Sequence, residues 1–111
     1  MAHKGTSTFV MQRASAVVLL PLSVWFLIGL IAHAGDSFAE MRAWLALPQT
    51  SILFAGLVSF GAFHMRIGMS EVIVDYIGPG LRGILLALNW LVAIAVIALA
   101  IFSAYQLSIA G

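Results

Sequence analysis

The segment GILLALNWLVAIAVIALAIFSAYQLSIAG, residues 83–111, contains no charged side chain. An apolar run of about 20 residues is long enough for a membrane-spanning helix, because at about 1.5 Å of rise per residue it crosses a hydrocarbon core about 30 Å thick. The segment therefore predicts a span at about residues 83–108 and makes this chain a membrane protein.

Two further spans are predicted before this segment. Residues 14–34 are also free of charge and form the first predicted span. The second predicted span runs from about residue 48 to 74 and stops before the turn Gly78-Pro79-Gly80. A polar link at residues 35–42 separates the two. The predicted fold class is therefore an all-α membrane protein with three transmembrane helices, forming a single domain over residues 1–111.

The composition agrees with a membrane protein and excludes several functions. Of the 111 residues, 63% are hydrophobic and 8% are charged, and the mean hydropathy is +1.13. The formal net charge of +1 gives no reason to expect nucleic acid. The absence of cysteine excludes disulfides, thiolate metal sites and thiol nucleophiles.

The basic residues predict the orientation in the lipid bilayer. Arg42 alone lies in the link between the first two spans, beside acidic residues. The other basic residues lie on the side of the N-terminus and of the second turn: Lys4, Arg13, Arg66 and Arg82. The positive-inside bias therefore predicts a cytoplasmic N-terminus, or a matrix-side one in an organelle.

His64 is an ionisable residue well inside the second span, where such groups are costly and are usually functional. One interpretation is a neutral histidine that forms a hydrogen bond between helices. The other is an axial ligand of haem, since neutral imidazole binds iron and a membrane interior suits a large apolar ring. His33 lies at the far end of the first span and His3 in the N-terminal tail, so a second histidine ligand would come from another chain.

Small residues accompany His64 in the second span. Gly56, Gly61 and Gly68 would allow a helix or a flat ring to approach the backbone closely. Ordinary helix packing explains any one of them equally well. Only their combination with His64 favours a cofactor.

Asp75 and Tyr76 follow His64 near the predicted cytoplasmic surface. Tyr76 could be an interfacial anchor and Asp75 a carboxylate at a helix end. Alternatively, the phenol could donate a hydrogen bond to a lipid-soluble carbonyl compound, while the carboxylate holds the phenol or passes protons inward.

Arginines near the same surface most simply fix the topology, but they could also bind haem propionates or lipid phosphates. Arg66 is a poor partner for a haem held by His64, because residues two apart lie nearly opposite each other on a helix. This geometric argument does not apply to Arg13, which lies at the start of the first span and not on the helix of His64.

Together these residues resemble the smaller hydrophobic membrane-anchor subunit of succinate dehydrogenase, respiratory complex II. The resemblance covers Arg13-Ala-Ser-Ala-Val-Val-Leu, then His64 with Ile67-Gly68-Met69, then Asp75-Tyr76 with Pro79 and Arg82, and finally a third span.

The resemblance implies that three helices form half of a heterodimeric bundle with a second membrane anchor, the cytochrome b subunit. The two anchors would share one haem b, with His64 as this chain's ligand. Tyr76 would hydrogen-bond the carbonyl of ubiquinone or another quinone, beside Asp75. Arg13 would lie near the haem propionates and the quinone. No role is carried over to Arg82 or His33.

The resemblance also implies that an iron-sulfur subunit and a flavoprotein subunit complete the enzyme, which oxidises succinate in the tricarboxylic acid cycle and reduces quinone in the respiratory chain. The expected location is the bacterial cytoplasmic membrane, with the mitochondrial inner membrane as the alternative. Two other functions remain open: an adaptor that binds no cofactor, and the anchor of a fumarate reductase.

Overall fold

The computed structural model describes residues 4–110, and His3 lies outside them. Four α-helices follow one another along the chain: α1 at Lys4–Ala32, α2 at Phe38–Ala46, α3 at Pro48–Tyr76 and α4 at Pro79–Tyr105. A π-helical turn, Gln106–Ala110, continues α4.

The prediction of an all-α protein with three potential membrane spans is confirmed. Helices α1, α3 and α4 are long and apolar enough to cross a membrane, and residues 4–110 contain no strand. The molecule is 49 Å long, which compares with about 40–45 Å for a bilayer with its headgroups. α3 lies between α1 and α4 and packs against both.

The long helices extend beyond their apolar segments. α1 begins at Lys4, well before the predicted start at residue 14, and α4 begins at Pro79. Hydropathy marks only the part of a helix that lies in hydrocarbon, whereas the backbone hydrogen bonds continue into the headgroup region. Proline is suited to the first turn of α4. A backbone N–H group in that turn forms no hydrogen bond within the helix, so the N–H group that proline lacks is not missed.

The polar link contains a short helix that the hydropathy pattern did not predict. Ser37 precedes α2 and accepts a hydrogen bond from the backbone of Glu40 at 3.2 Å, while the Glu40 carboxylate accepts one from the Ser37 backbone at 3.0 Å. This capping box provides partners for amide groups that a helix start otherwise leaves unpaired.

An aromatic contact holds α2 against the end of α1. The His33 ring stacks on Trp44 with 4.3 Å between ring centroids, and its Nδ1 lies 2.6 Å from an Asp36 carboxylate oxygen. Gly29 allows the Trp44 ring to approach α1, since a Cβ atom at this position would lie 2.5 Å from the ring. His33 therefore belongs to a structural contact between α1 and α2.

Candidate functional site

His64 lies on α3 at its contact with α1. Its Nδ1 is 2.8 Å from the hydroxyl oxygen of Ser15, a residue 49 positions earlier in the sequence. Ser15 is almost completely buried at 3% exposure, and His64 is half-buried. The imidazole is therefore held from the α1 side.

The hydrogen bonds of Ser15 define which ring nitrogen of His64 carries the proton. The Ser15 hydroxyl also lies 2.9 Å from the backbone oxygen of Gln12, which can only accept. A serine hydroxyl has one hydrogen, so a hydroxyl that donates to Gln12 must accept from Nδ1–H of His64. This pattern assigns the neutral tautomer with the proton on Nδ1, and it leaves the lone pair of Nε2 free of a partner among residues 4–110.

Gln12 and Gly68 complete a small polar junction with Ser15 and His64. The Gln12 side-chain nitrogen would lie 3.4 Å from a Cβ atom at Gly68, one helical turn after His64. The side-chain oxygen of Gln12 is buried without a partner in the described part of the chain. The junction thus combines a serine whose hydroxyl has two partners with a buried acceptor that has none in the described chain.

The other glycines of α3 contribute less than expected to contacts within this chain. A Cβ atom at Gly61 would make only a distant contact with Leu19, at 4.0 Å, and one at Gly56 would meet nothing within 4 Å. Among the glycines of the described chain, the closest approach of a ring is that of Trp44 to Gly29 in α1, which no local pattern indicated.

Arg66 is directed toward α4, away from the contact between His64 and α1. Its guanidinium carbon lies 3.9 Å from the centroid of the Trp90 ring and 5.2 Å from that of Phe63. The Asn89 amide of α4 donates to the backbone oxygen of Arg66 at 2.8 Å. Arg66 therefore belongs to the α3–α4 contact.

Asp75 and Tyr76 form the exposed end of α3. Tyr76 is 81% exposed, and Asp75 is also exposed. Asp75 borders a shallow groove between the ends of α1 and α3, together with Thr8 and Ser70. Tyr76 lies about 18 Å along the helix axis from His64, at about 1.5 Å per residue. The chain therefore presents the imidazole and the phenol at different depths.

Arg82 stabilises this end of α3. Its guanidinium donates hydrogen bonds to the backbone oxygens of Val74 and Ile77, at distances between 3.1 and 3.2 Å. Val74 lies in the last turn of α3 and Ile77 directly follows it. Carbonyl groups at a helix C-terminus lack helical partners, and a cation is favourable there. A role for Arg82 was not predicted, because its partners lie across the turn that breaks the helix.

Arg13 is exposed on α1, with its guanidinium carbon 4.8 Å from the centroid of the Phe9 ring. It is two residues from Ser15, which places the two side chains about 200° apart around the helix. Arg13 does not contact His64 in the described chain, and its guanidinium is accessible from outside the three-helix unit.

The geometry of His64 fits an axial position on haem iron. Within the described range, no three side chains of His, Asp or Glu come together as ligands. An axial position on haem iron needs only one imidazole nitrogen, because the porphyrin supplies four ligands. The partner-free Nε2 of half-buried His64 meets that requirement.

These features define a class of protein: a three-span helical membrane subunit with a polar histidine junction inside and a phenol at one surface. A family model described as succinate dehydrogenase/fumarate reductase transmembrane subunit matches residues 1–104. The chain is 29% identical over 102 residues to the succinate dehydrogenase hydrophobic membrane anchor subunit of Paracoccus denitrificans, covering 92% of this chain and 79% of that protein. No solved structure matches at a significant level.

The chain therefore belongs to the family of succinate dehydrogenase/fumarate reductase transmembrane subunits. It is a membrane-anchor subunit, and membership implies partner subunits in a membrane-bound enzyme complex.

Proposed function

We propose that this chain anchors a succinate:quinone oxidoreductase to the membrane, provides one axial ligand to a haem b through His64, and forms part of the quinone-reduction site through Tyr76 and Asp75. A second three-helix anchor would supply the other haem ligand. An iron-sulfur subunit and a flavoprotein subunit would carry electrons from succinate to the quinone.

The hydrogen bond between Ser15 and His64 is the observation that best supports the haem ligand. It uses Nδ1 and leaves Nε2 available, which is the arrangement typical of metal-bound histidines whose second nitrogen is held by the protein. A histidine that only joined two helices would be expected to use both nitrogens within the bundle, because an unpaired polar atom in hydrocarbon is costly.

Tyr76 and Asp75 would act on the quinone rather than on the haem. The phenol would donate a hydrogen bond to a quinone carbonyl and stabilise the negative charge that develops there during reduction. Asp75, adjacent in sequence and exposed, would orient the phenol or deliver protons from the aqueous side. Haem, when bound, would supply one-electron transfer.

Arg13 would contribute through its charge. Its exposed guanidinium can reach a group bound against the outside of α1, where a haem propionate or the quinone headgroup would be a suitable partner. The same architecture serves a fumarate reductase, because the potentials of the partner subunits decide the direction of electron flow. The location would be the bacterial cytoplasmic membrane, with Tyr76 and the N-terminus on its cytoplasmic side.

Purification of the assembled protein tests this proposal. The tagged chain, extracted in mild detergent, should elute with a second three-helix membrane protein, an iron-sulfur protein and a flavoprotein. The preparation should also transfer electrons from succinate to quinone. Elution of the chain without redox partners, or with an enzyme that lacks flavin, would contradict the proposal.

A further inference from the structure

We propose that Ser15 is a positioning residue for the haem ligand: its hydroxyl keeps His64 in the tautomer that presents Nε2 to iron, and it lowers the reduction potential of that haem. This inference rests on the proposed function. It concerns a residue on a different helix from the ligand, 49 positions earlier in the chain.

The contact between the Ser15 hydroxyl and the His64 imidazole is buried and has a fixed orientation. Ser15 is 3% exposed, so the contact between its hydroxyl and the imidazole is shielded from water. The hydroxyl is fixed on its other side by the Gln12 backbone oxygen, at 2.9 Å. Since that oxygen only accepts, the hydroxyl is oriented with its lone pairs toward His64.

The Ser15 hydroxyl is a strengthened acceptor for the imidazole proton. A hydroxyl that already donates a hydrogen bond is polarised and becomes a better acceptor for the next one. The two hydrogen bonds therefore run in one direction: Nδ1–H of His64 donates to the Ser15 hydroxyl, and this hydroxyl donates to the backbone oxygen of Gln12. The reversed tautomer would leave the Gln12 oxygen without its donor from Ser15.

This hydrogen bond would affect the iron through the imidazole ring. Donation from Nδ1–H to an acceptor increases the electron density on the imidazole and makes Nε2 a stronger ligand. A stronger electron donor stabilises ferric more than ferrous iron and so lowers the reduction potential. The hydrogen bond also restricts rotation of the ring about its bond to the helix.

The test compares variants of Ser15 in the purified complex. Ser15→Ala removes the acceptor, whereas Ser15→Thr retains a hydroxyl that can bond the same backbone oxygen. We expect Ser15→Ala to shift the haem potential upward in an optical redox titration and to change the g values of the ferric haem in electron paramagnetic resonance. Ser15→Thr should keep both properties close to those of the parent complex.

Ser59→Ala is the matched control, because it removes a hydroxyl from α3 that forms no hydrogen bond among the described residues. It should leave the potential and the g values unchanged. If the complex with Ser15→Ala fails to assemble, Ser15→Cys tests the same prediction. A thiol is similar in size to a hydroxyl but is a weak acceptor, so this variant should also shift the haem reduction potential upward.

The outcomes separate this inference from the function on which it rests. If His64→Leu alters the haem spectrum but Ser15→Ala and Ser15→Cys leave the potential and g values at parental values, Ser15 does not position the ligand. If His64→Leu itself leaves the haem spectrum unchanged, the ligand assignment fails, and the role of Ser15 fails with it.

Discussion

At the residue scale, Tyr76 combines strong exposure with a position at a helix end whose backbone oxygens are bonded by Arg82. Its side chain is 81% exposed, while the turn that follows is held by Arg82. An exposed phenol at the membrane surface is an ordinary interfacial anchor, but one next to a carboxylate at a fixed helix end is also suited to donate to a ligand. A substitution that keeps the ring and removes the hydroxyl distinguishes the two roles.

We expect Tyr76→Phe to lower succinate-to-quinone turnover by about tenfold, because one hydrogen-bond donor to the reacting oxygen is lost. Oxidation of succinate with an artificial dye acceptor, which bypasses the quinone site, should remain unchanged. Steady-state assays with both acceptors measure the two rates.

Tyr105→Phe provides a matched control, since Tyr105 ends α4 and is half exposed at 51%. It should leave both rates unchanged. Equal quinone turnover in the parent complex and in Tyr76→Phe would show that Tyr76 is an anchor only.

The sequence could single out His64, Asp75 and Tyr76, because ionisable and phenolic groups are rare in apolar spans. It could not single out Ser15. Serine is common in membrane helices, and the partner of Ser15 lies on another helix, so neither spacing nor periodicity connects the two residues. The contact depends on the rotation of α1 against α3, which side-chain packing decides.

At the element scale, α2 shows how hydropathy missed a helix. The segment is short and mixed in polarity, so it carried no span signal, although Ser37 and Glu40 have the spacing of a capping box. Its attachment to α1 depends on Gly29, because Trp44 occupies the space where a side chain would begin. That proximity joins residues far apart in sequence and could not be predicted from either one.

Gly29→Ala should therefore loosen α2 from α1. The new methyl group would lie 2.5 Å from one carbon of Trp44 and 2.9 Å from another, so the ring must move. Such overpacking costs about 1–3 kcal/mol. Thermal unfolding of the detergent-solubilised complex should begin at a lower temperature.

Gly83→Ala is the appropriate comparison, since a Cβ atom at Gly83 would meet nothing within 4 Å. Its unfolding temperature should equal or slightly exceed that of the parent, because alanine favours a helix more than glycine does. If the two variants unfold at the same temperature, Trp44 does not need the space at Gly29.

At the scale of the whole molecule, the three long helices bury very little apolar surface against one another. The buried hydrophobic residues of the described chain are Ile67, Ile73 and Ala93, and many large apolar side chains are exposed. Lipid covers such surfaces as well as another helix does, but membership in an anchor-subunit family also implies protein partners. The number of spans could be predicted from composition, whereas the faces that meet partners could not.

The central claim is that His64 and a histidine of a neighbouring anchor hold one haem between them. We predict that His64→Leu will remove the haem from the purified complex or convert its optical spectrum from that of a six-coordinate b-type haem to a five-coordinate one. His33→Leu, which changes a histidine of the α1–α2 contact, should retain the parental spectrum. An unchanged six-coordinate spectrum in His64→Leu would contradict the claim.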